Sequence, residues 1–211
     1  MHNEAWLTTK KEVAKWMRRL YKKGLTTSLG GNISVRINEE HLAITASETD
    51  KGSIKAKEIA IVTMDGVVLD SPNRVSMETG MHLAIYKKRP DVNAIVHAHA
   101  PMGSLFAASK QTVNTKLLAE AYTIIGDPQK ADYAAPGSDK LASFVAEATE
   151  HAKVVLMANH GVLAVGSSLL QAFDRIEVLE NAAKMTALTA LLNDKCELSE
   201  SQLAELKVLF T

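Results

Sequence analysis

Two of the seven histidines stand one residue apart, in Val96-His97-Ala98-His99-Ala100-Pro101. Along a strand, residues two apart project to the same face, so this pair can aim two imidazoles at one metal ion. The pair closes an apolar run over residues 92–98. It is followed by a proline suited to the first turn of a helix. His160 has a comparable setting in Leu156-Met157-Ala158-Asn159-His160-Gly161, where a second apolar stretch turns. Gly161 there permits a tight turn that presents the ring. Three imidazoles with one open position are a common catalytic zinc set. The same ligands also suit iron, cobalt or nickel. A structural zinc more often has four closed protein ligands, cysteines among them, and this chain has only Cys196, in a polar link near its end.

Glu78 heads the segment Ser76-Met77-Glu78-Thr79-Gly80-Met81-His82. In a first helical turn a glutamate is by itself a favourable partner for the helix dipole. It becomes a base only if the fold brings it beside the metal. His82, four residues on, shares its helical face. His82 reads as a supporting partner or as packing rather than as a fourth ligand. His2, His41 and His151 read as solvated or loop histidines. Gly30-Gly31-Asn32-Ile33-Ser34 is a glycine-rich turn entering a strand. Exposed backbone N–H groups in such a turn can cradle a phosphate, although an ordinary turn has the same look. Ser47 and Ser76 could add hydroxyl donors if folding gathers them.

The elements that must position these groups alternate irregularly. A capping-box spacing at Thr9-Lys10-Lys11-Glu12, followed by one apolar face, predicts a first helix over residues 9–23. Strands are expected over 32–37 and 41–45, and a hairpin over 59–64 and 67–69 turns on Asp65-Gly66. A helix is expected over 76–88, stopped before Pro90. A strand over 92–98 leads to a short helix opened by Pro101. Two strands, 154–157 and 162–165, flank Ala158-Asn159-His160-Gly161. Helices over 168–192 and 199–210 close the chain. The pattern predicts α/β layers around a mostly antiparallel or mixed sheet.

The 211 residues suffice for one domain over residues 1–211. Lysine plus arginine and aspartate plus glutamate both number 24, so the chain has no general attraction for nucleic acid or an anionic membrane. A single cysteine fits a reducing compartment, and no signal peptide or membrane-spanning run is visible. The expectation is a soluble cytoplasmic protein.

Taken in order, Gly30-Gly31-Asn32, Thr45-Ala46-Ser47, Asp65-Gly66, Ser76-x-Glu78-x-x-x-His82, His97-Ala98-His99 and Asn159-His160-Gly161 resemble the class II aldolase family over roughly residues 9–190. That family includes fuculose-phosphate and rhamnulose-phosphate aldolases, ribulose-phosphate 4-epimerase and methylthioribulose-phosphate dehydratase. Size and the Gly-Gly-Asn start sit nearest its fuculose-phosphate members. The resemblance implies a three-layer α/β/α domain around a largely antiparallel sheet, and a homotetramer with active sites between subunits. It implies zinc on His97, His99 and His160, Glu78 as general base, and phosphate held at Gly31, Asn32, Ser47 and Ser76. The implied reaction is retro-aldol cleavage of a ketose 1-phosphate, such as L-fuculose 1-phosphate, to dihydroxyacetone phosphate and L-lactaldehyde. The dehydratase and epimerase reactions are the alternatives on the same site, and a non-catalytic zinc-stabilised module is a more distant one. Two departures touch the phosphate pocket. Glu48 stands where the family often has glycine, and Met77 where it often has a second serine. The catalytic tyrosine of the fuculose enzyme has only weak counterparts here, Tyr122 and Tyr133.

Overall fold

The computed structural model describes residues 2–71 and 73–210. The side chain of His2, expected to be solvated, lies outside the description. One eight-stranded mixed sheet organises the chain: β1 (Asn32–Arg36), β2 (His41–Thr45), β3 (Ile59–Thr63), β4 (Val68–Asp70), β5 (Ala94–Ala98), β6 (Gln129–Ala131), β7 (Val154–Met157) and β8 (Gly161–Gly166). Their spatial order is β4-β3-β2-β1-β5-β8-β7-β6. Neighbours are antiparallel except the β6–β7 pair. The helices are α1 (His2–Lys22), α2 (Thr79–Lys88), α3 (Pro101–Ala107), α4 (Ala119–Ile124), α5 (Asp139–His151), α6 (Leu169–Leu192) and α7 (Glu200–Phe210).

Alternation along the strands divides the core into two. Ile33, Val96 and Val162 pack with Val13, Met17 and Leu20 of α1 and with Phe173, Ile176 and Leu179 of α6. Ile44, Ile95 and Leu163 belong to a second apolar cluster with Ile85 of α2 and Val145 of α5. The expected α/β/α sandwich is therefore present, and β5 lies inside it between β1 and β8. Because Val96 turns to the first layer, His97 turns to the second, the side on which α2 lies.

Several boundaries differ from expectation. Helix α1 starts at His2 rather than near residue 9. Thr9 is interior and its hydroxyl donates to the Ala5 carbonyl 3.0 Å away, so it does not cap. Helix α2 starts at Thr79, with Glu78 at the N-cap and Ser76–Met77 before it. Glu78 is thus not in the first turn. Helix α5 and strand β6 lie in a stretch to which the periodicity reading assigned nothing. Ser138 begins α5, its hydroxyl accepting the Leu141 amide. His41 is not a solvated loop residue. It opens β2, half-buried, with its ring edge-on to Trp6 at 5.6 Å between centroids. His151 ends α5 and is exposed.

Candidate metal centre and anion pocket

His97 is fully buried on the last turn of pleat in β5, paired with Asn32 of β1 on one side and Leu163 of β8 on the other. His99 follows the strand end, and His160 ends the three-residue turn between β7 and β8. Their rings meet: centroids are 5.1 Å apart for His97–His99, 4.9 Å for His97–His160 and 5.6 Å for His99–His160. One nitrogen from each lies within 4.8 Å of the others.

Glycines allow this crowding. A Cβ on Gly161 would stand 2.6 Å from the Ala98 carbonyl oxygen and 2.9 Å from Cδ2 of His99. Gly161 is therefore needed for closeness rather than for turning. The left-handed residue of that turn is Asn159, at φ 55°. Gly31 combines both demands, with φ 67° and a would-be Cβ 2.7 Å from the His97 carbonyl.

Glu78 completes the group. Its Oε2 lies 3.2 Å from Nε2 of His97, and its Oε1 lies 3.2 Å from Nε2 of His160. The tautomer of His97 follows from its other nitrogen, since Nδ1 is 2.9 Å from the Val162 carbonyl and must donate. Its Nε2 then carries a lone pair in the buried interior without a hydrogen-bond partner. Nε2 of His99 and Oε1 of Glu78 are likewise buried and unpartnered among the described residues. Buried polar atoms left without partners cost free energy, and a cation among them would satisfy those that carry lone pairs. The donor set thus fits a metal ion, and His97, His99 and His160 are the residues that would hold it, His97 with its other nitrogen anchored on a carbonyl as metal-binding imidazoles commonly are.

The electrostatics agree. Burial, then the neighbouring rings, pushes His99 down to about 4. Burial and His97 lower His160 as well, with Glu78 opposing. Both rings are then neutral at neutral pH, the state metal binding needs. Burial acts to raise the Glu78 carboxyl; positive charge on His97, the hydrogen bond from the Asn32 amide, and positive charge on His160 and His82 act the other way and hold the group below its ordinary value as the rings take up protons.

A cavity of about 270 Å³ opens on this cluster. Its walls include Gly30, Gly31, Asn32, Ser47, Ser76, Glu78, His99 and His160, so every sequence-derived site residue except buried His97 lines it. The Ser47 hydroxyl donates to the Val75 carbonyl at 3.0 Å. The Asn32 amide donates to Glu78 at 2.8 Å and to Ser76 at 3.3 Å. Ser76 also accepts the Glu78 backbone N–H. Its own hydroxyl hydrogen remains available to the cavity. Glu48 is exposed on the wall at φ 56°, the left-handed conformation that favours glycine. Met77 lines the mouth, also exposed. Tyr122 and Tyr133 do not line the cavity.

Two cations of the wall were missed by reading motifs. Lys51 is buried, donates to the Ala46 carbonyl at 2.9 Å and to Thr49 at 3.0 Å, and burial lowers its pKa to about 8. Arg74 makes no side-chain hydrogen bond or ion pair among the described residues. The one available signal was a lysine four residues past Ser47. A larger open groove, about 820 Å³, runs beside Lys110–Lys116 and the end of α6, but it gathers no comparable donor set.

With the geometry in hand, comparison with known proteins is decisive. The Class II Aldolase and Adducin N-terminal domain family matches residues 11–187. The chain belongs to the class II aldolase family. This class II aldolase is 34% identical to the L-fuculose phosphate aldolase of Methanocaldococcus jannaschii, over 87% of its own length and 98% of the relative's. It is 32% identical to the 3-oxo-tetronate 4-phosphate decarboxylase of Haemophilus influenzae, over 85% and 87% of the two chains. A solved L-fuculose 1-phosphate aldolase superposes with a TM-score of 0.88 at 31% identity, covering 96% of each chain. The protein is therefore an enzyme of a metal-dependent lyase family. No helix among the described residues is long and apolar enough to cross a membrane.

Proposed function

We propose that this class II aldolase is a zinc enzyme, one catalytic domain per chain, that cleaves a ketose 1-phosphate of the L-fuculose 1-phosphate kind to dihydroxyacetone phosphate and a small aldehyde such as L-lactaldehyde. The observation that carries the reading is the convergence of His97, His99 and His160 beside the unpartnered Oε1 of Glu78, at one end of a cavity walled by Gly31 and Ser76. A divalent cation, which His97, His99 and His160 would hold, would supply Lewis-acid stabilisation of negative charge on a substrate oxygen.

The chain's own residues do the rest. Gly31 and Ser76, with Lys51 behind them, hold the phosphate and fix the carbon chain along the cavity, while Asn32 and Ser47, whose side-chain donors are taken by Glu78 and Ser76 and by the Val75 carbonyl, shape its wall. The C3–C4 bond breaks, the Glu78 carboxylate takes the C4 hydroxyl proton as the aldehyde forms, and the electron pair stays on C3, conjugated with the C2 carbonyl. Glu78 delivers a proton to that carbon, and in the condensing direction removes it. Leu29 and Met77, apolar and exposed at the cavity mouth, suit cover by a neighbouring copy in a cytoplasmic homotetramer.

Arg74 favours a second reading, decarboxylation of a phosphorylated 3-oxo acid, the activity in the name of the Haemophilus influenzae relative. Both reactions break a carbon–carbon bond beside a carbonyl and leave the pair on the same carbon. The departing group is an aldehyde in one and carbon dioxide in the other. A guanidinium with no partner among the described residues, on the cavity wall, suits a substrate carboxylate.

The test offers fuculose, rhamnulose, ribulose and methylthioribulose 1-phosphates and 3-oxo-tetronate 4-phosphate, with and without chelator. Chelator-sensitive triose phosphate from one of the ketose 1-phosphates, without release of carbon dioxide, supports the aldolase. Carbon dioxide from the oxo acid alone supports the decarboxylase. Loss of water from methylthioribulose 1-phosphate without triose phosphate replaces both with the dehydratase.

A further inference from the structure

Strand β1 and helix α2 face each other with matched polar rows. Asn32, Ser34 and Arg36 recur every two residues on one face of β1. Glu78, His82 and Tyr86 recur every four residues from the N-cap of α2. The rows interlock. Asn32 donates to Oε2 of Glu78 at 2.8 Å, and its Oδ1 is 2.6 Å from Nε2 of His82. Nδ1 of His82 is 2.6 Å from Oγ of Ser34, which is 2.8 Å from the Tyr86 hydroxyl. The Arg36 guanidinium lies 4.8 Å from the Tyr86 ring centroid and donates to the Tyr86 carbonyl at 2.8 Å. Asn32, Ser34, Glu78, His82 and Tyr86 are all buried.

The chemistry of the atoms sets the direction of each bond. A carboxylate only accepts, so the amide nitrogen of Asn32 faces Glu78 and its oxygen faces His82. That oxygen needs a donor, so His82 carries its proton on Nε2. Burial drives the His82 pKa to about 3, so the ring is neutral and Nδ1 is an acceptor. Ser34 must then donate to Nδ1, and Tyr86 must donate to Ser34. Four donations run the same way, each polarising the next among buried side chains. Asparagine passes no proton, so the row orients and does not relay protons. Reversing the Asn32 amide would set oxygen against oxygen at Glu78 and N–H against N–H at His82.

We propose that His82, Ser34 and Tyr86 are positioning residues for Glu78: their hydrogen-bonded row locks the Asn32 amide, which pins Oε2 and leaves Oε1 turned to the histidine cluster. This rests on the reading of Glu78 as the proton-transferring group. A merely structural row would stitch α2 to the sheet and leave turnover alone.

Two measurements test it. The first uses no substrate: nitrogen-15 spectra of histidine-labelled enzyme, with the Asn32 side-chain amide assigned. The expected result is a neutral His82 protonated on Nε2, and an Asn32 amide resonance that moves in Ser34→Ala. A His82 protonated on Nδ1, or an unmoved Asn32 amide, overturns the proposal. The second compares Ser34→Ala, Ser34→Thr and Tyr86→Phe by kcat, KM, bound metal, Tm and deuterium wash-in to dihydroxyacetone phosphate. Losing one such bond should lower kcat and wash-in about tenfold in Ser34→Ala and Tyr86→Phe, with KM and metal content within about twofold, and Ser34→Thr should recover both. A fall in Tm with kcat and wash-in unchanged overturns the proposal. Wild-type enzyme with the expected spectra but no wash-in sinks the aldolase reading and leaves the directed row standing.

Discussion

Nε2 of His97 lies 3.2 Å from Oε2 of Glu78, and the Val162 carbonyl fixes the other nitrogen of that ring as a donor. Two acceptors so close, both buried, are tolerated only with positive charge between or beside them. This contact ties a strand residue and a helix cap, 19 positions apart in sequence, into one site.

Removing the metal should abolish turnover while leaving the fold. The sheet and both apolar layers are built without the ion, so a chelated sample should keep its far-ultraviolet spectrum and lose only a modest part of its Tm. Unfolding on chelation would instead assign the histidines to a structural site. His99→Ala should lower bound metal, measured by elemental analysis, with the same sparing of the fold.

Glu78→Gln retains the shape and the Asn32 contact but takes away the charge and the base. We expect bound metal to persist and kcat to fall by about 10²–10⁴-fold, the usual worth of a general base. A variant with wild-type kcat would remove Glu78 from the chemistry.

Gly161→Ala puts a methyl group 2.6 Å from the Ala98 carbonyl, where β5 backbone must move. Overpacking of this kind costs about 1–3 kcal/mol. Because the displaced strand carries His97, metal affinity should fall with the denaturation midpoint. Undiminished stability and metal affinity would show that β5 yields without disturbing the ligands.

Glu48 holds a left-handed backbone at φ 56°. Glycine there relieves a strain of about 1 kcal/mol, partly offset by the freedom glycine adds to the unfolded chain. Glu48→Gly should raise Tm slightly and, by removing a negative charge from the cavity wall, tighten binding of inorganic phosphate. Calorimetry with phosphate checks the second effect, and an unchanged affinity places the Glu48 carboxylate away from the anion.

His82 gives the stability a pH dependence. Its folded pKa is depressed from 6.5 to about 3 by burial. Between those values the unfolded chain binds a proton that the folded chain does not, so stability falls as pH drops through this window. The slope approaches about 1.4 kcal/mol per pH unit for the one group. Denaturant titrations from pH 7 to 4 should show it, and His82→Gln should flatten it. An equally steep profile in that variant would assign the acid sensitivity elsewhere.

Local pattern made much of this molecule legible. Strands β2 and β7 end where alternation and apolar runs end, and Pro101 opens α3. The His97–His99 spacing, the turn at His160 and the Gly30-Gly31-Asn32 entry to β1 also announce themselves, because each depends on neighbours within a few residues. The start of α1 did not follow its capping-box pattern. Trp6 packs against the first apolar layer, and such packing outweighs a weak local cap. Between residues 108 and 131 short elements are held by distant partners, β6 by β7 for example, and periodicity has little to read. Helix α5, by contrast, has a serine cap at Ser138 and helical spacing at Leu141, Val145 and Thr149 that a sequence reading could have found.

The sequence by itself determined which residue types were available: three imidazoles at turns and strand ends, a carboxylate four residues before His82, and polar residues at every second position of β1. Only the tertiary structure decided that these lie together. Antiparallel pairing puts Asn32 beside His97, and packing of α2 on the sheet turns Glu78 toward His97 and His160 and His82 toward Asn32. It also buried Lys51 in the wall of the same cavity. The physical reason is that spacing along the chain sets which face a side chain shares, whereas proximity across the sheet follows from strand order and helix packing, which no local pattern encodes.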